Sequence, residues 1–496
     1  MKVSRNLSVP LWVVLLAILA LASACVPAAP APAASQPTAA PAPAATAGEA
    51  SATGEAASLE GHWEGEIDIM GQKLPIQLDL SGQAGTIDFP TQGAKGIHLE
   101  NFSAQGDAVH FEVLPAPRTA IFDGNAEGDT ISGSFEQAGY KGTFTATRAE
   151  VKPQATAEAK EYREEEVAFD NGDVTLAGTL TLPVGAGPHP AVVLISGSGA
   201  QNRDEEVFGF KPFAILADHL TKQGIAVLRY DDRGMGGSTT GTADDTSETY
   251  ASDVQAAVDY LKGRSEIAAT QIGLVGHSEG GIIGPIVATQ GGDIAFLVLI
   301  GSTGVPGKEL LPAQVGAIAL ASGATEEETK AAVALEERVI AAVLTGEGMN
   351  QVKSELVEQY RDAAEEMTEE QRKALGDVDA WANRVVQAQL DQMAIPWMTF
   401  FLTHDPAATL EKVDVPVLAL FGGKDAQVPA EMNETAMKAA LAKGGNTDVT
   451  TKVFPEANHL FQAAGTGSPN EYTELEPEFL PGFLDTISEW ILAQVR

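Results

Sequence analysis

The amino-acid sequence predicts an α/β protein: a mostly parallel sheet with helices on both faces and a helical lid, preceded by a small antiparallel β-domain. Three observations carry that assignment. From residue 167 to 496, short apolar runs alternate with amphipathic helical patterns, as strands buried on both faces require. From 59 to 149 the hydrophobic period is two, the mark of half-buried antiparallel strands. From about 305 to 410 the strand rhythm gives way to helical spacing.

The 496 residues suffice for more than one domain and a large core. With 31 basic against 68 acidic side chains, the net charge is −37, which argues against a polyanion such as nucleic acid as partner. No basic cluster with interleaved aromatics offsets that balance.

The N-terminus, residues 1 to 24, reads as an export signal. Lys2 and Arg5 precede the apolar stretch "VPLWVVLLAILALASAC", which is too short and too closely followed by small residues for a membrane span. It ends at Cys25, the one cysteine of the chain, so no intrachain disulfide can form. "LASAC" resembles a bacterial lipoprotein box, which implies cleavage before Cys25 and its lipidation. Ala22 departs from the pattern, standing where leucine is usual, with Leu21 one step back. Residues 25 to 58 are rich in Ala, Pro, Ser and Thr and read as a tether holding a folded body off a membrane. The expected location is the outer face of the cell membrane; without lipidation the protein would be secreted.

In the β-domain, "LPIQLDL" alternates Leu74, Ile76, Leu78 and Leu80 with Pro75, Gln77 and Asp79, and "AVHFEVL" does so through Val109, Phe111 and Val113. Short strands between glycine-rich turns suggest a barrel or sandwich. Trp63 reads as a core aromatic, and His62, His98 and His110 have no metal-ligand spacing. The sequence names no ligand for this domain. A charged linker, residues 150 to 166, follows.

Beyond the linker, "AVVLISGSG", "IAVLRYDDRG", "QIGLVGHS", "IAFLVLIGS" and "VPVLALFGGKD" are strand-like, with helical patterns between them. In the lid segment, Thr325 with Glu328 and Thr368 with Gln371 form capping-box patterns. Val333, Val339, Ile340, Val343 and Leu344 then fall at helical spacing.

In "GLVGHSEGGIIG", Ser278 lies two residues from Gly276 and from Gly280, after a strand and before a helix. That is the setting of a nucleophile elbow, a strained turn that exposes a hydroxyl at the carboxyl edge of a sheet. A serine needs a base, and this fold orders nucleophile, acid and histidine along the chain. Two histidines follow Ser278. His404 precedes the last apolar strand and belongs to the lid or its exit, whereas His459 in "FPEANHLFQ" follows a strand and can hang over the serine. Asp425, after the two glycines of "LFGGKD", is the acid between them, suited to fix the imidazole tautomer. The oxyanion would sit between the amides of Glu279 and Ser198, with Gly199 the next choice for the second donor. The "GSG" of that loop lacks the spacing of a nucleotide-binding loop.

Taken in order, "GHSEGG", "YDDRGMGGS", "GGKDAQVP" and "NHLFQ" resemble the α/β-hydrolase superfamily. More narrowly, "SGSGAQNRDE" and "PWMTFFLTHDP" resemble bacterial esterase-like hydrolases often labelled serine aminopeptidases or dienelactone-hydrolase-like proteins. The resemblance covers roughly residues 165 to 496 and leaves out the β-domain. It implies Ser278 as nucleophile, Asp425 as acid and His459 as base, in agreement with the chain-order argument.

The expected reaction is hydrolysis of carboxylic esters of short to medium acyl chains through an acyl-enzyme. No metal or organic cofactor is implied. The cluster Met393, Trp397, Met398, Phe400 and Phe401 reads either as packing between lid and core or as the wall of an apolar acyl pocket. Asn202, Arg203 and Asp204 either position substrate or brace the oxyanion loop. The alternative functions are a serine peptidase acting on small peptides and a surface-binding lipoprotein without catalysis.

Overall fold

Alternation closes the first domain into a barrel. A computed structural model describes residues 59–495, apart from 70–71, 83, 91–93, 114–118, 138–139, 150–160 and 292. The export signal, Cys25, the tether and most of the linker lie outside the described residues. Eight antiparallel strands, β1 (Gly61–Ile69), β2 (Gln72–Ser81), β3 (Ala84–Phe89), β4 (Ala94–Gln105), β5 (Ala108–Val113), β6 (Ala120–Glu127), β7 (Thr130–Gln137) and β8 (Tyr140–Ala149), pair in sequence order, and β8 returns to β1. Of the two sequence alternatives, barrel and sandwich, the structure is the barrel.

Inward positions carry Ile67, Ile76, Leu78, Phe111, Phe122 and Phe144, all buried, so the interior is filled by side chains. Phe111 stacks on Phe122 with ring centroids 4.5 Å apart, and Phe144 meets both edge-on. Trp63 is fully buried in this core and donates its indole N–H to the Leu59 carbonyl at 3.0 Å. The three scattered histidines have separate partners: His62 pairs with Asp79, His110 with Asp123, and His98 with the Gly236 carbonyl.

The second sheet has eight strands in the order β16-β15-β14-β13-β11-β12-β10-β9. These are β9 (Arg163–Asn171), β10 (Val174–Leu182), β11 (His189–Ile195), β12 (Ala226–Tyr230), β13 (Ile267–His277), β14 (Leu297–Ile300), β15 (Val417–Gly422) and β16 (Val449–Phe454). From β12 through β16 the pairing is parallel, while β9 and β10 are antiparallel. The sheet starts earlier than the expected boundary at 167, because β9 begins at Arg163. Its "REEE" run looked like linker, but on an edge strand those charges face arginines: Glu164 meets Arg229 at 3.2 Å and Glu165 meets Arg264 at 2.8 Å.

Helices cover both faces. On one, α1 (Pro212–Lys222) and the C-terminal helix (Phe483–Gln494) bury Phe213, Leu216, Ile487 and Ile491 against β11, β13 and β14. On the other, α2 (Ser247–Lys262) and α3 (Gly280–Thr289) bury Val254, Val258, Ile282 and Ile286.

Between β14 and β15 the described chain is helical: α4 (Gly307–Ala321), α5 (Glu326–Thr345), α6 (Met349–Glu366), α7 (Glu369–Leu375), α8 (Val378–Met393), α9 (Pro396–Thr403) and α10 (Pro406–Leu410). The capping box at Thr325 and Glu328 forms and opens α5. Val339 and Ile340 are buried there, and Val333, Val343 and Leu344 are half-buried. After β15, α11 (Ala430–Lys443) packs Met437 and Leu441 on the sheet.

Candidate active site

Ser278 occupies the turn between β13 and α3 with φ of +52°, a left-handed conformation that a non-glycine residue adopts only under constraint. The constraint is visible. The Ser278 amide donates to the Ile300 carbonyl at 2.8 Å, and a Cβ on Gly276 would lie 2.2 Å from the Gly280 carbonyl oxygen. A Cβ on Gly280 would lie 2.3 Å from the Ile195 oxygen. Both glycines are therefore required by close approach of strand and helix.

Asp425 follows β15 in a tight turn. Its Oδ1 accepts the amides of Gln427 and Val428, both at 2.8 Å, and its Oδ2 accepts from His459 Nδ1 at 2.7 Å. The local bonds orient the carboxylate; they do not cap α11, which starts at Ala430. His459 sits in the loop after β16, which Asn458 folds by accepting the amides of Leu460 and Gln462 at 3.0 and 2.9 Å. Both members of the pair are 5% exposed. His404 is elsewhere: it ends α9, stacked on Phe400, and burial lowers its pKa.

The loop after β11 runs beside the serine, since a Cβ on Gly197 would lie 3.2 Å from Ser278 Cβ. The Gly197 amide is taken by Glu205 Oε1 at 2.6 Å. The amides of Ser198 and Glu279, by contrast, donate to no described protein group. The Glu279 side chain turns away and is buried. Its Oε1 accepts from Ser247 of α2 at 2.6 Å and from Trp397 of the lid at 2.8 Å. Burial raises its carboxyl pKa, opposed by these donors.

Asn202, Arg203 and Asp204 brace the loop. Asn202 accepts the Asp204 amide, Asp204 pairs with Arg229 at 2.9 Å, and Arg203 grips Asp231 through Nε at 3.1 Å and Nη2 at 2.7 Å. Asp232 accepts from Ser196 Oγ at 2.8 Å and the Gln201 amide at 2.9 Å, and burial pushes its carboxyl well above the usual range. The lid aromatics are packed: Trp397 and Phe401 stack 5.7 Å apart and are 3% and 5% exposed.

Two residues escaped the sequence reading. His277 donates from Nε2 to the His459 carbonyl at 3.0 Å, and its Nδ1 meets Glu205 Oε1 at 2.8 Å. The carbonyl accepts only, so Nε2 carries a proton, and a second proton on Nδ1 would charge the ring beside Glu205. Burial opposes that charge, but the Glu205 carboxylate and the two hydrogen bonds raise the His277 pKa above its ordinary value. The signal was present in "GHS" and "NRDE", but nothing in sequence joins residues 205 and 277.

With this geometry established, comparison with known proteins assigns the family. A model of the serine aminopeptidase S33 family matches residues 210–463, which include Ser278, Asp425 and His459. The chain belongs to this family. It is therefore a hydrolase with the α/β-hydrolase fold. Esterase EstD of Thermotoga maritima is 25% identical over 332 residues, 66% of this chain and 68% of that protein. The solved structure of the Pyrococcus furiosus esterase Pf2001 matches 62% of this chain and 87% of its own, with 15% identity and a TM-score of 0.38. Proline iminopeptidase of Mycobacterium smegmatis matches 66% of this chain and 98% of its own, with 17% identity and a TM-score of 0.40.

Proposed function

We propose that this hydrolase is a serine carboxylesterase acting on esters of short to medium acyl chains. The observation that carries the reading is Ser278 on a left-handed elbow in a fold where Asp425 Oδ2 and His459 Nδ1 meet at 2.7 Å.

The chemistry follows from these roles. Ser278 Oγ attacks the ester carbonyl carbon while His459 Nε2 takes its proton, and Asp425 stabilises the imidazolium. The negative oxygen sits between the Ser198 and Glu279 amides, a donor of this kind supplying about 3 kcal/mol of barrier lowering. Collapse expels the alcohol, which takes the proton from His459. Water then repeats the path on the acyl-enzyme and releases the acid.

Esters are favoured over peptides with a free amino terminus by the state of Glu279. Its side chain, beside the elbow, is buried and its Oε1 is already engaged by Ser247 and Trp397, so it offers no open site for a substrate ammonium. The resemblance to esterase EstD supports the same choice. For the limit on acyl length we look to the lid aromatics, of which Trp397 is held on Glu279 at 2.8 Å.

A chain-length series of p-nitrophenyl esters, run beside Ser278→Ala, tests the reading. Turnover that peaks at short or medium chains and falls by several orders of magnitude in the variant is expected. Equal activity in both proteins would reduce Ser278 to a turn residue. We propose further that Cys25 carries a lipid that anchors the protein at the outer face of the membrane. Cys25→Ser would then move the protein out of the membrane fraction.

A further inference from the structure

The barrel and the hydrolase sheet share one loop. Residues 231–240, between β12 and α2, send Met235 into the barrel core, where it is 2% exposed. Met235 forms an antiparallel bridge with Ile97 of β4, and the Gly236 amide donates to the Gly96 carbonyl at 3.2 Å. His98 reaches the Gly236 carbonyl, and Thr240 Oγ1 donates to Glu100 at 3.3 Å. The loop thus adds a short strand to one barrel strand and inserts a flexible apolar side chain among the barrel's core residues, a task suited to methionine.

The base of the same loop holds the oxyanion loop. Asp232 accepts from Ser196 and Gln201, on either side of Ser198, and the Asp232 amide donates back to the Gln201 carbonyl at 3.0 Å. Asp231 anchors Arg203. Ala200, two residues past Ser198, packs against the barrel core directly. Gly236 joins the two ends: with φ of +50°, a Cβ there would lie 2.2 Å from Asp231 Oδ2.

A loop with Gly234, Gly236 and Gly237 has wide conformational freedom unless something outside it fixes its apex. The barrel does so. With Met235 seated, Asp231 and Asp232 are presented in one arrangement, and donors held in advance of reaction are what stabilise a developing oxyanion.

We propose that the N-terminal barrel is a positioning element for the hydrolase site, with Met235 as its plug and the Ser198 loop as its target. The inference rests on the esterase reading for its kinetic consequence but not for its structural one. Its interior being filled, the barrel acts through this contact and not as a carrier of a ligand inside it.

The test uses the full chain with Met235→Ser and Met235→Leu. Hydrogen exchange is followed at residues 196–206 and at the barrel strands β1 and β8, and kcat and KM are measured on a short p-nitrophenyl ester. In Met235→Ser, residues 196–206 should exchange faster while β1 and β8 stay protected. Its kcat should fall about tenfold with KM within about twofold, since loosening a donor does less than the roughly 100-fold or greater loss from deleting one. Met235→Leu, which keeps the apolar bulk, should restore both. Unchanged exchange at 196–206 in Met235→Ser overturns the proposal, and so does failure of leucine to restore it. If the wild type hydrolyses no ester, the esterase reading fails, and the exchange result still decides the role of the barrel.

Discussion

His277 Nε2 donates to the backbone carbonyl of His459 at 3.0 Å, and the two rings lie 4.8 Å apart by centroid. The residue before the elbow serine therefore holds the loop that carries the proposed base. Glu205 completes the clamp, because its Oε1 meets His277 Nδ1 and accepts the Gly197 amide, tying the loop of the proposed base to the proposed oxyanion loop.

Glu205→Gln is expected to lower kcat by about tenfold with little change in KM, since it loosens positioning without touching substrate. It should also destabilise the fold by roughly 3 kcal/mol, the cost of breaking a buried pair. A histidine whose folded pKa is raised contributes stability that is complete below its unfolded value of about 6.5 and is lost as pH rises through the folded value. The wild-type margin over Glu205→Gln should therefore be wider at pH 6 than at pH 9 in urea unfolding.

Asp425→Asn keeps the shape of the turn but offers His459 the wrong partner. A fall in kcat of roughly 10³- to 10⁴-fold is expected, by analogy with other triad acids. A loss below tenfold in steady-state kinetics would remove Asp425 from the mechanism.

Gly276→Ala places a methyl group 2.2 Å from a backbone oxygen that cannot yield without moving α3. Destabilisation of about 2–3 kcal/mol is expected from overpacking. Activity should fall further than the remaining folded fraction accounts for, because the elbow itself shifts. Urea unfolding and kcat on the same preparation separate the two effects.

Glu336 lies 4% exposed on α5, beside a small cavity lined by Val315, Leu335, Val339, Leu356, Leu390 and Met393. Burial pushes its carboxyl pKa up to about 7. An acid whose folded pKa is raised takes stability away as pH climbs from its unfolded value through the folded one. The advantage of Glu336→Leu over wild type should therefore grow by roughly 2–3 kcal/mol between pH 5 and pH 8. A pH-independent difference in urea midpoint would show that the lid carboxyl is already ionised at pH 5.

The sequence by itself determined the barrel's alternation, the order of strands and helices, and the identities of Ser278, Asp425 and His459 as candidates. These are local signals: a period of two or 3.6, glycines flanking a serine, and chain order in a fold that fixes which strand ends converge. It also carried the packing role of Trp63. What tertiary structure decided involves pairs with no local signature. Glu205 and His277 are 72 residues apart, and Glu279 and Trp397 are 118 apart. The charged run at 163–166 read as linker because a charge pattern does not reveal the arginines opposite it. Met235 stands among Gly234, Gly236 and Gly237 in the sequence, and only the docking of the barrel makes it a core residue. In each case a side chain's role was set by what the fold brought against it, and sequence spacing encodes that contact nowhere.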